Sequence, residues 1–341
     1  MATEREATIL RSIIRQYISR ALPVASKDIA RDAGIDVSSA TIRNEMVRLE
    51  EEGYIARPHH ASGSIPTDKG YRFYVESLTD VELPAAEQLT INHLFYQAER
   101  KLDVWMSLAS TLAAQMAKAV SVVTAPKPVA CLYKHLELIA IKDSLVLLVL
   151  VLHGAKVRQE LIAMGQNISQ QELTAIANKL NEMFENLNRV RVSDKLNELS
   201  ETEKMVAACV TRLMETEDTS ENEEHYLEGW HFILREPEFS RDYHILSLLE
   251  LAEHRALVRS IIPRELATPG VQVIIGSENK DSAVQNYSVV VSRYGIPDKA
   301  LGTIGVVGPT RMSYVRAIST VDYLSAVLSR LVSELYETSA S

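Results

Sequence analysis

Only two cysteines occur in 341 residues, Cys131 and Cys209, far apart and in no CxxC pairing. That excludes a disulfide framework and a structural zinc site, and makes a reducing cytoplasm the expected home. Long apolar runs are also missing. The longest clean one, Leu145 to Leu152, is too short to cross a bilayer as a helix and suits a buried strand, so no membrane span is expected. The N-terminal region alternates charge with apolar pairs and holds no continuous hydrophobic segment, so no secretory signal is expected either. A basic excess is lacking too, since the net charge is −9. Residues 1–78 nevertheless carry 11 Lys and Arg against 11 Asp and Glu, so the whole negative excess lies beyond them. A module in that neutral segment is free to be basic on one face, while the acidic remainder discourages nonspecific adhesion to nucleic acid. What is present is 46% hydrophobic and 24% charged residues, the balance of a folded chain of roughly two to three domains at about 100–200 residues each.

Ile9, Leu10, Ile13, Ile14, Tyr17 and Ile18 recur at helical spacing and predict an amphipathic helix over 4–19 that Leu22 and Pro23 terminate. Ser26 then reads as the N-cap of a short helix that buries Ile29 and Ala30 and stops at Gly34. After a tight turn, Val37 and Ser38 open a second helix, with Ser38 as N-cap, Ile42, Met46 and Leu49 facing inward, and Gly53 as the stop. Short helix, turn with Gly, second helix is the helix-turn-helix pattern. Its outward positions are Ser39, Ala40, Thr41, Arg43, Asn44 and Arg48, residue types that reach base edges or phosphates. Glu50, Glu51 and Glu52 close the helix and oppose its dipole at a cost of a few tenths of a kcal/mol, roughly. Tyr54 to Arg57 then reads as a strand, Pro58 to Gly63 as a turn and Ser64 to Pro66 as a returning strand, which makes the module a winged helix. Arg57, His59, His60, Ser62 and Gly63 form the wing tip. The adjacent histidines read either as a solvated turn or as a backbone contact; their side chains diverge and cannot share a metal.

Several runs carry a resemblance. These are Ser38-Ser39-Ala40-Thr41-Ile42-Arg43-Asn44-Glu45-Met46, Leu49-Glu50-Glu51-Glu52-Gly53-Tyr54, Pro58-His59, Ser62-Gly63, and Ile65-Pro66-Thr67-Asp68-Lys69-Gly70-Tyr71-Arg72-Phe73-Tyr74-Val75. Together they closely resemble the HrcA family of heat-inducible transcription repressors. Later runs add to it: Pro237-Glu238-Phe239, Ile275-Gly276-Ser277-Glu278-Asn279, and Gly302 to Met312. The chain departs from the family pattern at Ser64, where Arg is usual, and Arg57, His60 or Lys69 stands in for the phosphate contact.

Beyond the wing, Pro84 to Val123 reads as helical, with Leu102, Trp105, Met106, Ala109, Leu112, Ala113, Met116 and Val120 on a core stripe ended by Ala125-Pro126-Lys127-Pro128. Cys131–Ile141, Leu145–Leu152 and Lys156–Ala163 read as an antiparallel meander. Helices are expected over 169–187 and 200–217, an acidic solvated loop or helix end over 215–228, and a further helix within 226–262. Strands are expected at Val271–Gly276, Tyr287–Tyr294 and Thr303–Val307, and a closing helix over Tyr314–Leu335. The strands at 131–163 and 271–307 suggest one antiparallel sheet interrupted by an insertion. The resemblance implies the same: a GAF-like domain carrying an inserted dimerisation domain.

The expected fold is therefore α+β, an N-terminal winged helix-turn-helix followed by a GAF-like antiparallel-sheet domain with a mainly helical inserted dimerisation domain. The expected boundaries are 1–78 for the DNA-binding domain, 84–165 with 228–341 for the GAF-like domain, and 166–227 for the insertion. Expected DNA contacts are Ser38, Ser39, Thr41, Arg43, Asn44, Arg48, Arg57, His60, Ser64 and Lys69. Gly302, Gly305 and Gly308 match neither phosphate-binding spacing and read as close strand packing and a turn. Asp242 and His244 have no accompanying nucleophile, so no catalytic set, cofactor or metal is expected. The resemblance implies a homodimer on a double-stranded inverted-repeat operator of chaperone operons, held active by GroE chaperonin that heat titrates away. The alternative is a winged-helix repressor gated by a small molecule in the GAF-like body.

Overall fold

The computed structural model describes the chain except residues 1–2, 32–37, 60–61, 80, 129, 143, 154–155, 166, 220–224, 237–269, 298 and 339–341. It divides into two compact units, one made of Met1–Pro126, Glu224–Ile296 and Leu301–Ser341, the other of Lys127–Glu223 and Pro297–Ala300.

The first unit opens with α1 (Glu4–Arg20), fixed by a capping box in which Thr3 Oγ1 accepts the Glu6 N–H at 3.3 Å and the Glu6 carboxylate accepts the Thr3 N–H at 2.6 Å. Those bonds hold the Glu6 carboxyl below its ordinary 4.5. The helix stops at Ala21, whose φ of 52° is left-handed. Its buried Ile9, Leu10, Ile13 and Ile14 pack against α2 (Ser26–Ile29) and α3 (Ser39–Glu51). Ala25, not Ser26, holds the N-cap position of α2: Ser26 is already helical, and no side chain caps the end. Gly34 and the turn between α2 and α3 lie outside the described residues. Strands β1 (Ile55–Ala56) and β2 (Ile65–Pro66) pair antiparallel, and Thr67 caps α4 (Asp68–Glu76). Two helices follow, α5 (Ala85–Gln97) and α6 (Leu102–Ala117), and then β3 (Val120–Thr124). The helical reading through Val123 is therefore corrected. Lys118 turns the chain left-handed at φ 53°, and Val120 enters a wholly buried strand because its neighbours Val122 and Val123 cover both faces of a sheet.

The second unit begins at β4 (Lys127–Pro128) and continues with β5 (Tyr133–Lys142), β6 (Leu145–Leu152) and β7 (Lys156–Ala163), the last three forming their own antiparallel sheet in the order β5-β6-β7. Helices α7 (Gln170–Phe184), α8 (Arg189–Asp194) and α9 (Glu201–Thr219) complete it. Leu136, Leu138, Val146, Leu148, Leu150 and Leu152 from the sheet share one core with Leu173, Leu180, Phe184, Val206 and Val210 from the helices. This corrects the sequence reading in one respect: among the described residues the meander strands pair only with one another and pack on α7 and α9, instead of joining the late strands in a single sheet. The compact second unit starts at Lys127.

The chain returns to the first unit with β8 (His225–Glu228) and α10 (Trp230–Ile233), and after the undescribed stretch with β9 (Gln272–Ile275), β10 (Tyr287–Ile296), β11 (Ala300–Pro309) and α11 (Tyr314–Thr338). The sheet runs β8-β3-β11-β10-β9, with antiparallel pairing of β3 to both β11 and β8 and of β10 to β9. Helices α6 and α11 pack on it through Ala109, Ala113, Ala117, Ala317, Val321 and Leu324. A side chain at Gly302 would collide with the Tyr294 ring, so that glycine serves close strand packing.

Candidate nucleic-acid interface

Helix α3 owes its start to Ser38, whose Oγ accepts the Thr41 N–H at 3.2 Å and lies 3.0 Å from Thr41 Oγ1. Ile42, Glu45, Met46 and Leu49 are buried beneath it. The 3.6-residue period then turns Ser39, Ala40, Arg43, Asn44, Val47 and Arg48 outward, with Thr41 half-buried at the edge. The side chains of Arg43 and Asn44 are exposed and make no hydrogen bond or ion pair among the described residues. Arg48 is different. Its Nη1 lies 3.7 Å from Glu45 and 4.0 Å from Glu6, which draws the guanidinium toward α1. Sequence reasoning missed Val47, which is 40% exposed on the same stripe; its spacing of four from Arg43 was the available signal.

The hairpin side is more committed to structure than the sequence suggested. Arg57 Nε sits 3.2 Å from Glu50 Oε2, so hairpin and helix end are bridged. His59 and Ser62 close the tip, with the His59 N–H donating to Ser62 Oγ at 3.1 Å and that hydroxyl to His59 O at 2.8 Å. His60 lies outside the described residues. Ser64 is fully buried, because its backbone exchanges 2.9 Å hydrogen bonds with Val24, and its hydroxyl is not on the surface that a phosphate contact requires. Lys69 stays exposed: its ammonium donates to Glu52 O at 2.7 Å and stands 4.3 Å over the Tyr54 ring, where it complements the carbonyl end of α3. The structure thus brings Ser38, Ser39, Thr41, Arg43, Asn44 and Arg48 onto one helix, leaves Arg57 beside it and Lys69 exposed at its C-terminal end, and buries Ser64.

A family model described as the HrcA protein C terminal domain matches residues 103–318. A heat-inducible transcription repressor HrcA of Dehalococcoides mccartyi is 48% identical over 336 residues, covering 98% of this chain and 97% of its own. The chain belongs to the HrcA family. A second HrcA repressor, from Herpetosiphon aurantiacus, is 40% identical over 341 residues and covers 98% of this chain and 96% of its own, so α1–α4 are included although the family model starts later. HrcA proteins are transcription repressors, not enzymes, and act on DNA as regulators. The crystal structure of a hypothetical protein, 24% identical with a TM-score of 0.59, covers 98% of both chains and shares the fold.

No group of three or more His, Cys, Asp or Glu among the described residues is arranged to hold a metal ion. Gly302, Gly305 and Gly308 all fall inside β11, within a sheet and not at the mouth of a helix. Asp242 and His244 lie outside the described residues. No described helix is long and apolar enough to cross a membrane.

Proposed function

We propose that the chain is a heat-inducible repressor whose residues 1–78 act as a winged helix, with α3 entering the major groove of an inverted-repeat operator. The observation that carries this reading is the pair Arg43 and Asn44, exposed and uncommitted on a helix whose other face is bolted into a core. Arg suits guanine and Asn suits adenine by bidentate hydrogen bonding, and Val47 offers a methyl surface to thymine. Arg57 and the wing lie against the sugar-phosphate backbone.

The active species is a homodimer, and the second unit supports that assignment. Strand β6 is apolar on both faces: Val146, Leu148, Leu150 and Leu152 fill the core, while Leu145, Leu147, Val149 and Val151 form the other face. There Ile139, Leu147 and Leu161 stand in one cross-strand row and Val151 opposes Val157, with Ile139 42% and Leu161 57% exposed. A sheet face of this composition suits a second copy. It gives the isologous contact that a palindromic operator requires. The remaining sheet with α6 and α11 is the GAF-like body. The protein works in the cytoplasm, where GroE chaperonin keeps it active until heat-generated clients titrate the chaperonin away.

The test is fluorescence anisotropy against an inverted-repeat chaperone-operon duplex and a scrambled duplex, over a salt series, with and without chaperonin. Tight binding of two subunits, selective for the repeat and restored by chaperonin after mild heating, is the expected result; equal weak binding to both duplexes overturns it. One observation favours a second reading. A cavity of about 850 Å³ beside α5, α6 and α11 is lined by Phe95, Trp105 and Arg330 among others, and the buried Trp105 Nε1 has no hydrogen-bond partner among the described residues. Under that reading a small molecule gates the repressor, and operator affinity shifts with a metabolite but not with chaperonin.

A further inference from the structure

Two runs that carry the family resemblance, around Arg72 and around Gly276, are two hundred residues apart in sequence and meet in the first unit. Asp68 and Arg72 stand one turn apart on α4. Arg72 grips Glu278 with both ends of its fork, through Nε to Oε1 at 2.8 Å and through Nη2 to Oε2, and Nη2 also donates to Val273 O at 2.7 Å. Asp68 Oδ2 accepts both the Ser277 N–H at 2.9 Å and the Ser277 hydroxyl at 2.7 Å. Gly276 holds φ at +51°, and a side chain there would strike the Asp68 carboxylate. The receiving loop is prefolded: buried Asn279 donates to Gly276 O, Val284 O and Tyr287 O, and Glu278 accepts the Ile275 N–H at 2.8 Å.

The start of α4 is in turn tied to the end of α3. Thr67 Oγ1 donates to Gly53 O at 2.7 Å, the Thr67 N–H to Tyr54 O at 3.1 Å and Lys69 Nζ to Glu52 O at 2.7 Å, while Tyr54 packs edge-on to Phe73. A hydrogen-bonded path therefore runs from the recognition helix through α4 to the loop after β9. Arg72 and Glu278 are about a third exposed. Pairs so exposed add little stability, but a bidentate guanidinium–carboxylate contact fixes direction.

We propose that Asp68 and Arg72 clamp the recognition module onto the Gly276–Glu278 loop, so that the angle of α3 to the body, and with it the half-site spacing a dimer accepts, is set by this contact. The proposal rests on the operator-binding reading. Asp68 and Arg72 are positioning residues that touch no base. Because α3 itself is intact in their variants, a lone half-site is bound as before, whereas two half-sites are bound together only when both helices are held at the right separation.

The experiment compares full-length wild type, Arg72→Gln and Asp68→Asn on three duplexes: a single half-site, the inverted repeat, and repeats with the spacer lengthened or shortened by a few base pairs. Both variants are expected to keep half-site affinity within about twofold, to lose about tenfold or more on the native repeat, and to bind altered spacers nearly as well as the native one. The exchange Arg72→Glu with Glu278→Arg is expected to restore spacing selectivity that Arg72→Glu alone abolishes. Folded variants that keep wild-type spacing selectivity, or that lose half-site and repeat affinity equally, overturn the clamp. A wild type that ignores the repeat fails earlier and overturns the operator reading, and the clamp with it.

Discussion

Arg43→Ala and Asn44→Ala each remove one exposed, uncommitted side chain from α3, so folding should be unaffected while operator affinity falls by about 1–3 kcal/mol and discrimination relaxes at one base position. Anisotropy against single-base operator variants measures this; normal binding by both folded variants would place the interface elsewhere. The two cysteines behave oppositely to a sensor. Burial pushes the Cys131 thiol up to about 12, with Asp218 adding to it, and burial pushes Cys209 up to about 11 against the opposing Arg212. At pH 8 neither is a thiolate in the folded protein, so a thiolate-selective reagent is expected to label both only after denaturant is added. Among the site residues, Arg43 and Asn44 were readable from helical period alone. Ser64 and Lys69 were not, because a strand's partner and the carbonyl that a lysine reaches come from segments remote in sequence.

At the scale of the element, the start of α3 was legible because a cap is local chemistry, whereas the N-cap of α2 falls at Ala25 and not at Ser26. Ser38 illustrates it: a side-chain oxygen three residues before the amide it accepts. The α1 capping box gives a test. Thr3→Ala should cost about 1 kcal/mol locally, seen as roughly fivefold faster amide exchange in the first turns of α1. The same box is pH-dependent through Glu6, whose folded value is lowered by hydrogen bonds from Thr3. A lowered carboxyl contributes fully above its ordinary 4.5 and loses that contribution as pH falls through the folded value. Exchange rates of wild type and Glu6→Gln should therefore differ above about pH 4.5 and converge in more acid solution. Strands were less legible. The run Val120-Ser121-Val122-Val123 directly continues a helical stripe, and a short apolar run fits either state until a neighbouring strand supplies its hydrogen bonds. Strand β8, with Glu228 in it, merges in sequence with an acidic stretch and becomes a strand only by pairing with β3.

At the scale of the whole molecule, the decisive quantity is whether the apolar sheet face of the second unit is covered by another copy. Leu161→Glu places a charge in the row Ile139-Leu147-Leu161 without touching the core on the other side of the sheet. If the proposed homodimer forms through this face, sedimentation should find a dimer for wild type and a monomer for the variant, and repeat binding should fall to the level of a half-site. A dimer that survives this change would move the interface elsewhere.

The sequence by itself determined α1 and α3, the Ser38 cap, the outward stripe of α3 and the apolar runs, because each depends on side chains a few residues apart. Only the tertiary structure decided which sheet each strand joined, that the meander folds with α7 and α9, that Ser64 is buried while Lys69 reaches the Glu52 carbonyl, and that Arg72 closes on Glu278. The physical reason is that hydrogen-bond partners across strands and between charged groups are chosen by proximity in space, and local pattern carries no record of that choice.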